Sequence, residues 1–203
     1  LADGRRWAEA LEVFECAITG GPGTFFAFEG RCYSLTQLGR PLEALADCDR
    51  AVELDATSAD ARVFRGAAYA GQGKADLALA DYDEAIRLDP EHSFAYANRG
   101  NVYDEMGQFE RAITDYGRAI ELDPKSSFAY RNRGVAYVGH GDTDLALADF
   151  SRAIELDPAY ARAHAGLAEC YVLFSWLSVA SPASHMPRAR AAALRALELD
   201  GSL

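Results

Sequence analysis

The sequence predicts an all-α fold, a solenoid of stacked helical hairpins, and three observations predict it. Apolar residues recur three and four apart: from Tyr96 to Pro124 one stripe runs Tyr96, Gly100, Tyr103 and a second runs Phe109, Ala112, Ile113, Tyr116, Ala119, Ile120. That is the period of a helix, not the alternation of a strand. Gly107 then separates the two stripes and Asp123-Pro124 stops the second, so each stripe is one short helix. Finally, the pair repeats every 34 residues, with Pro124 matched by Pro158, Pro90, Ala56 and Pro22, and Ala112 by Ala10, Ala44, Ala78 and Ala146. Helices this short do not hold themselves up in water, so each must bury its stripe against neighbouring copies.

Taken in order, residues 1–24 form a partial repeat, its second helix only, carried by WAEALEVFECAITG at 7–20 and broken by Gly20, Gly21, Pro22 and Gly23. Four full units follow at 25–58, 59–92, 93–126 and 127–160. The first is the most divergent: Cys32 replaces the glycine found at Gly66, Gly100 and Gly134, Leu35 replaces the tyrosine of Tyr69, Tyr103 and Tyr137, and Ala56 replaces the closing proline. Gly39, Gly73, Gly107 and Gly141 recur as turn residues. Residues 161–203 make a fifth, altered unit. Its first helix keeps Ala168 and Tyr171, an inserted loop is expected at about 175–187, and a last helix through Ala189, Ala192, Ala193, Ala196 and Leu197 caps the stack. Pro187 suits that helix's first turn, where a missing N–H costs nothing.

These units resemble tetratricopeptide repeats. The resemblance rests on Tyr96, Gly100, Tyr103, Ala112, Tyr116, Ala119 and Pro124 in one unit, and on Tyr130, Gly134, Tyr137, Ala146, Phe150, Ala153 and Pro158 in the next. It covers nearly the whole chain and implies a right-handed α-solenoid whose first helices line a concave groove. The pattern residues are packing residues, so the resemblance is specific for fold and weakly specific for function.

A formal charge of −11 and a pI near 4.8 argue against a nucleic-acid footprint, which needs a basic stripe. They disfavour an anionic membrane surface as well. A basic or apolar protein partner is favoured. The chain has no apolar run of membrane-spanning length and no opening signal sequence. Leu1 falls inside a repeat, so a natural N-terminus is expected to precede it, and a cytoplasmic location is the working expectation. The four cysteines, Cys16, Cys32, Cys48 and Cys170, lie on helical positions without metal-like spacing. Buried free thiols in a reducing compartment are the favoured reading, with a Cys32–Cys48 disulfide as the alternative.

One polar pattern reads as structural. Arg31, Arg65, Arg99 and Arg133 are each followed sixteen residues later by Asp47, Asp81, Asp115 and Asp149, and in the fifth unit both charges vanish together, at Leu167 and Ala192. An Arg–Asp ion pair across each hairpin is expected, charge-assisted and partly shielded from water.

For partner contact, the groove candidates are Phe64, Phe94, Asn98, Asn101, Phe128, Arg131, Asn132 and Arg162. Asn98 and Asn132 hold the same place in successive units, and their amides, able to donate and accept at once, suit the backbone of an extended peptide. This short ladder resembles the one in the repeats of protein O-GlcNAc transferase. Asn101, Asn132 and Arg162 match part of the carboxylate clamp of chaperone-tail binders, but Ala97 and Gly166 stand where its lysine and arginine belong. Units one and two present Phe26, Tyr33, Val63, Phe64, Ala67 and Ala70, read as an apolar stretch of groove. No catalysis, cofactor or metal is expected: His92, His140, His164 and His185 are scattered without ligand spacing. The function expected is a protein-interaction scaffold. The alternatives are a self-assembling scaffold or a regulatory arm of a larger enzyme.

Overall fold

A computed structural model of the chain describes residues 2–20, 24–177 and 185–200. All regular structure among them is helical: α1 Ala2–Thr19, α2 Phe25–Gln37, α3 Pro41–Leu54, α4 Ala59–Ala70, α5 Ala75–Leu88, α6 Ser93–Glu105, α7 Phe109–Leu122, α8 Ser127–His140, α9 Thr143–Leu156, α10 Ala161–Leu177 and α11 Met186–Leu199. The sequence-predicted loop at about 175–187 overlaps the end of α10 and the start of α11; its residues 178–184 lie outside the described residues.

Local chemistry punctuates the helices at the repeat period. Gly39, Gly73, Gly107 and Gly141 take positive φ of 69°, 72°, 70° and 98°, a conformation that suits glycine because a side chain would strain it. At the other end of each hairpin, Asp55, Asp89, Asp123 and Asp157 leave the helical conformation while their N–H groups still donate to the alanine carbonyl four residues back. Their carboxylates then accept from the N–H two residues on, at Thr57, Glu91, Lys125 and Ala159, the Asx turn that commits the chain to a bend. Ser58 and Ser126 cap α4 and α8 by accepting from Ala61 and Ala129.

The chain forms two compact units, Leu1–Val102 and Tyr103–Leu203. In the first, α1 packs on α2, α2 on α3, α3 on α4 and α4 on α5. One core layer gathers Val63, Ala78, Tyr82, Ala85, Ala95 and Val102, and another Cys32, Leu35, Ala44, Cys48 and Ala68. In the second unit α7 packs on α8, α8 on α9, α9 on α10 and α10 on α11, around layers such as Ala146, Phe150 and Cys170. Small residues where helices cross let large rings bury: a Cβ added to Gly66 would lie 2.7 Å from the Tyr82 ring, and one on Gly166 2.4 Å from Phe150.

The cysteines correct the favoured expectation. Cys32 and Cys48 are joined in a disulfide across the α2–α3 hairpin, while Cys16 and Cys170 are free. Sequence placed all four on helices and offered this pairing only as the alternative to free thiols.

Candidate interaction surface

The first helices of the hairpins carry the arginines of the buried ion pairs and the candidate contact residues. Arg31 reaches Asp47 at 2.6 and 2.7 Å, Arg65 reaches Asp81 with two bonds of 2.7 Å, and Arg133 reaches Asp149 at 2.7 and 2.8 Å. These are fork-to-carboxylate pairs, and the aspartates are nearly inaccessible. The bond to Asp81 raises the affinity of Arg65 for its proton, and the bond to Asp149 does the same for Arg133. Tyrosine faces add to the cage: the Arg133 guanidinium carbon stands 5.7 Å from the ring centres of both Tyr130 and Tyr137, and that of Arg65 5.9 Å from Tyr69.

Sequence reasoning missed a second set of pairs that tie one hairpin to the next. Arg65 on α4 also donates to Asp49 on α3 at 3.1 Å, and Arg99 on α6 donates to Asp83 on α5 at 2.6 Å. The signal was present, since each aspartate lies sixteen residues before its arginine. Gly117 occupies the matching place before Arg133, so that arginine has no such carboxylate there.

The apolar stretch assigned to the groove in units one and two is corrected in part. Val63 is 2% exposed and belongs to the core. Phe64 is half-buried, packed against two core layers and tilted over Tyr33 with ring centres 4.6 Å apart. Phe26, by contrast, is 73% exposed. In the same unit Phe94 is 64% exposed, and Asn98 and Asn101 are half-buried.

In the second unit Phe128 is 39% exposed and Arg162 is exposed. Asn132 is buried, and its side-chain oxygen accepts from Arg131 Nη1 at 2.8 Å. Arg131 Nε and Asp104 Oδ1 are buried without a hydrogen-bond partner among the described residues. Burial pushes the Asp104 carboxyl above the ordinary aspartate range, with Arg131 opposing and Glu105 reinforcing that shift. Burial likewise raises the Tyr160 hydroxyl against the pull of Arg131 and Arg162. Among the described residues no group of three or more His, Cys, Asp or Glu is placed to hold a metal ion. No helix of those residues is long and apolar enough to cross a membrane.

Comparison with known proteins agrees with this geometry. The family model described as "Tetratricopeptide repeat" matches residues 93–126 and 127–160, and a second, "TPR repeat", matches 66–107. The chain is similar to the crystal structure of TTC0263, a thermophilic TPR protein of Thermus thermophilus, with a TM-score of 0.73 at 22% identity over 82% of this chain and 91% of that one. MamA residues 41-end from Desulfovibrio magneticus RS-1 align with a TM-score of 0.69 at 21% identity, over 88% of this chain and 96% of that one. YrrB, titled a TPR protein with an unusual peptide-binding site, aligns with a TM-score of 0.62 at 23% identity, over 95% and 94%. With the 34-residue period, the ring-on-glycine crossings and the left-handed turn glycines, residues 66–160 match as tetratricopeptide repeats.

Proposed function

We propose that the chain is a binding module that holds an extended segment of a partner protein along the first helices of its repeats, without chemistry of its own. One observation carries the reading. Phe26, Phe94 and Phe128 stand at the same position of three repeats and remain 73%, 64% and 39% exposed. A single exposed apolar ring needs no explanation, but the same ring left partly in water at one register position of three units is apolar surface that a partner could cover. Asn98, Asn101, Arg131 and Arg162 supply polar groups on the same set of helices, and the buried Asn132 holds Arg131 in place. Each hydrogen bond they make to the bound segment contributes only about 1 kcal/mol, so several units act together. The net charge of −11 favours a partner segment that alternates basic and apolar side chains. That YrrB is titled for a peptide-binding site is in keeping with this reading.

A random twelve-residue peptide display library, panned against the full chain, tests the proposal. Enriched peptides are expected to be basic and apolar and to lose binding to Phe94→Ala/Phe128→Ala and to Asn98→Ala/Asn132→Ala, with helical content retained. Binding undiminished in both variants rejects it.

A second reading, self-assembly, is favoured by α11, where Met186, Leu194 and Leu197 are 49%, 50% and 47% exposed. Light scattering over a concentration series distinguishes it, since a mass independent of concentration leaves it without support.

A further inference from the structure

The α2–α3 hairpin departs from its neighbours at three positions that touch one another. In the α4–α5 and α8–α9 hairpins a glycine receives an aromatic ring: a Cβ on Gly66 would lie 2.7 Å from Tyr82, and one on Gly134 3.0 Å from Phe150. One repeat before Gly66 and Tyr82 stand Cys32 and Cys48, bonded to each other and only 1% and 0% exposed. The third position lies on the next first helix, facing the same ring. Gly30 faces Phe14 and Gly166 faces Phe150, with virtual Cβ distances of 2.3 and 2.4 Å. At that register, next to the cysteine pair, stands Phe64 instead, packed against the layer of Cys32, Leu35, Ala44, Cys48 and Ala68.

The ring has thus moved from one side of the layer to the other. Where the preceding helix offers an aromatic side chain, the next helix carries a residue without a ring at this register, Gly30, Asn98, Asn132 or Gly166; where it offers only Cys48, the next helix supplies the ring itself. A core at crystal-like density tolerates such a change only if volume is conserved, and the cysteine pair fits that rule as a bonded unit. A row of rings rests on it: Phe64 lies 4.6 Å from Tyr33 and Tyr33 lies edge-on to Trp7 at 5.0 Å, so α1, α2 and α4 all meet at this point.

We propose that the Cys32–Cys48 bond is a redox-sensitive clamp that sets the order of the α2–α3 hairpin and of the aromatic row Trp7, Tyr33 and Phe64. Closing the clamp takes one proton and one electron from each thiol, and a disulfide of the thiol–disulfide exchange class is reduced to two thiols in return. Opening it returns two protons and two electrons to Cys32 and Cys48 while two small thiols become a disulfide. Once open, the two sulfurs withdraw from bonding to van der Waals separation inside a layer already filled by Phe64. The unfolded hairpin also regains the freedom that the cross-link removed.

The test uses the full chain, oxidised with an excess of a small disulfide and then reduced with excess dithiol. Alkylation under denaturing conditions is expected to find two thiols in the oxidised chain, Cys16 and Cys170, and four after reduction. Hydrogen exchange of the α2 and α3 amides is expected to quicken by at least about tenfold on reduction, with α8 and α9 unchanged. Because removing the bond could simply unfold the hairpin, a second variant keeps the claim exposed. Cys32→Gly/Cys48→Tyr/Phe64→Asn installs the set found at Gly66, Tyr82 and Asn98, and it is expected to protect α2–α3 like the oxidised chain and to ignore reductant. Four free thiols in the oxidised chain, exchange indifferent to reduction, or a triple variant no better protected than the reduced chain each overturns the proposal.

Discussion

The guanidinium of Arg133 grips the carboxylate of Asp149 with two parallel bonds, Nε to Oδ2 at 2.7 Å and Nη2 to Oδ1 at 2.8 Å, between the faces of Tyr130 and Tyr137. Asp149 is 5% exposed. Removing it strands a cation against two rings and the core. We expect Asp149→Ala to cost about 3–4 kcal/mol of unfolding free energy. The exposed pair Arg152–Glu155, one turn apart on the same helix, provides the control: Glu155→Ala should leave the urea midpoint unchanged.

The two free cysteines should differ in reactivity. Cys16 is exposed, whereas Cys170 is buried and its thiol is pushed up to about 12 by desolvation, with Glu169 adding to the shift. The thiolate is the nucleophile, so iodoacetamide at mildly alkaline pH should label Cys16 and spare Cys170 in the native chain. Mass spectrometry of the digested protein reads the result.

Gly166 and Phe150 should couple energetically. A methyl at Gly166 would sit 2.4 Å from the ring, and overpacking of this kind costs about 1–3 kcal/mol. Gly166→Ala is expected to destabilise the native chain but to be much less harmful in a Phe150→Leu background. A double-mutant cycle in urea should return an interaction of about 1 kcal/mol or more. Additive effects would contradict the close approach.

Asp104 should make stability depend on pH. Its folded carboxyl is raised by burial, opposed by Arg131, so the neutral form is the one the fold favours. For a group raised in the folded state, the associated stability is present at low pH and is lost as pH rises through the folded value. Asp104→Asn removes that loss. The variant is expected to melt above the parent at neutral pH, and the gap should close as pH falls toward the ordinary aspartate value of 3.8. A gap independent of pH would contradict the assignment.

The hairpins, their turns and the sixteen-residue Arg–Asp spacing could be read from the amino acids because each depends on local rules. Three- and four-residue spacing defines one face of a helix, glycine and Asp-Pro end it, and a fixed period copies the arrangement. The exposed Phe94 and Phe128 were legible for the same reason: they fall off the apolar stripe that packing uses. Phe64 was not, although it stands only one helical turn beyond the register of its exposed relatives. Its ring is drawn inward by the small Cys48 on a different helix, and nothing within α4 records that.

What the sequence determined by itself was therefore a stack of helical hairpins with the family's packing residues in register, since helix period and turn chemistry are properties of neighbouring residues. Only the tertiary structure decided that Cys32 and Cys48 are bonded, that Val63 and Phe64 pack inward, and that Arg65 and Arg99 reach back to Asp49 and Asp83 on the preceding helices. Those outcomes depend on how closely two helices approach and which side chain yields the space, and spacing along the chain does not fix that distance.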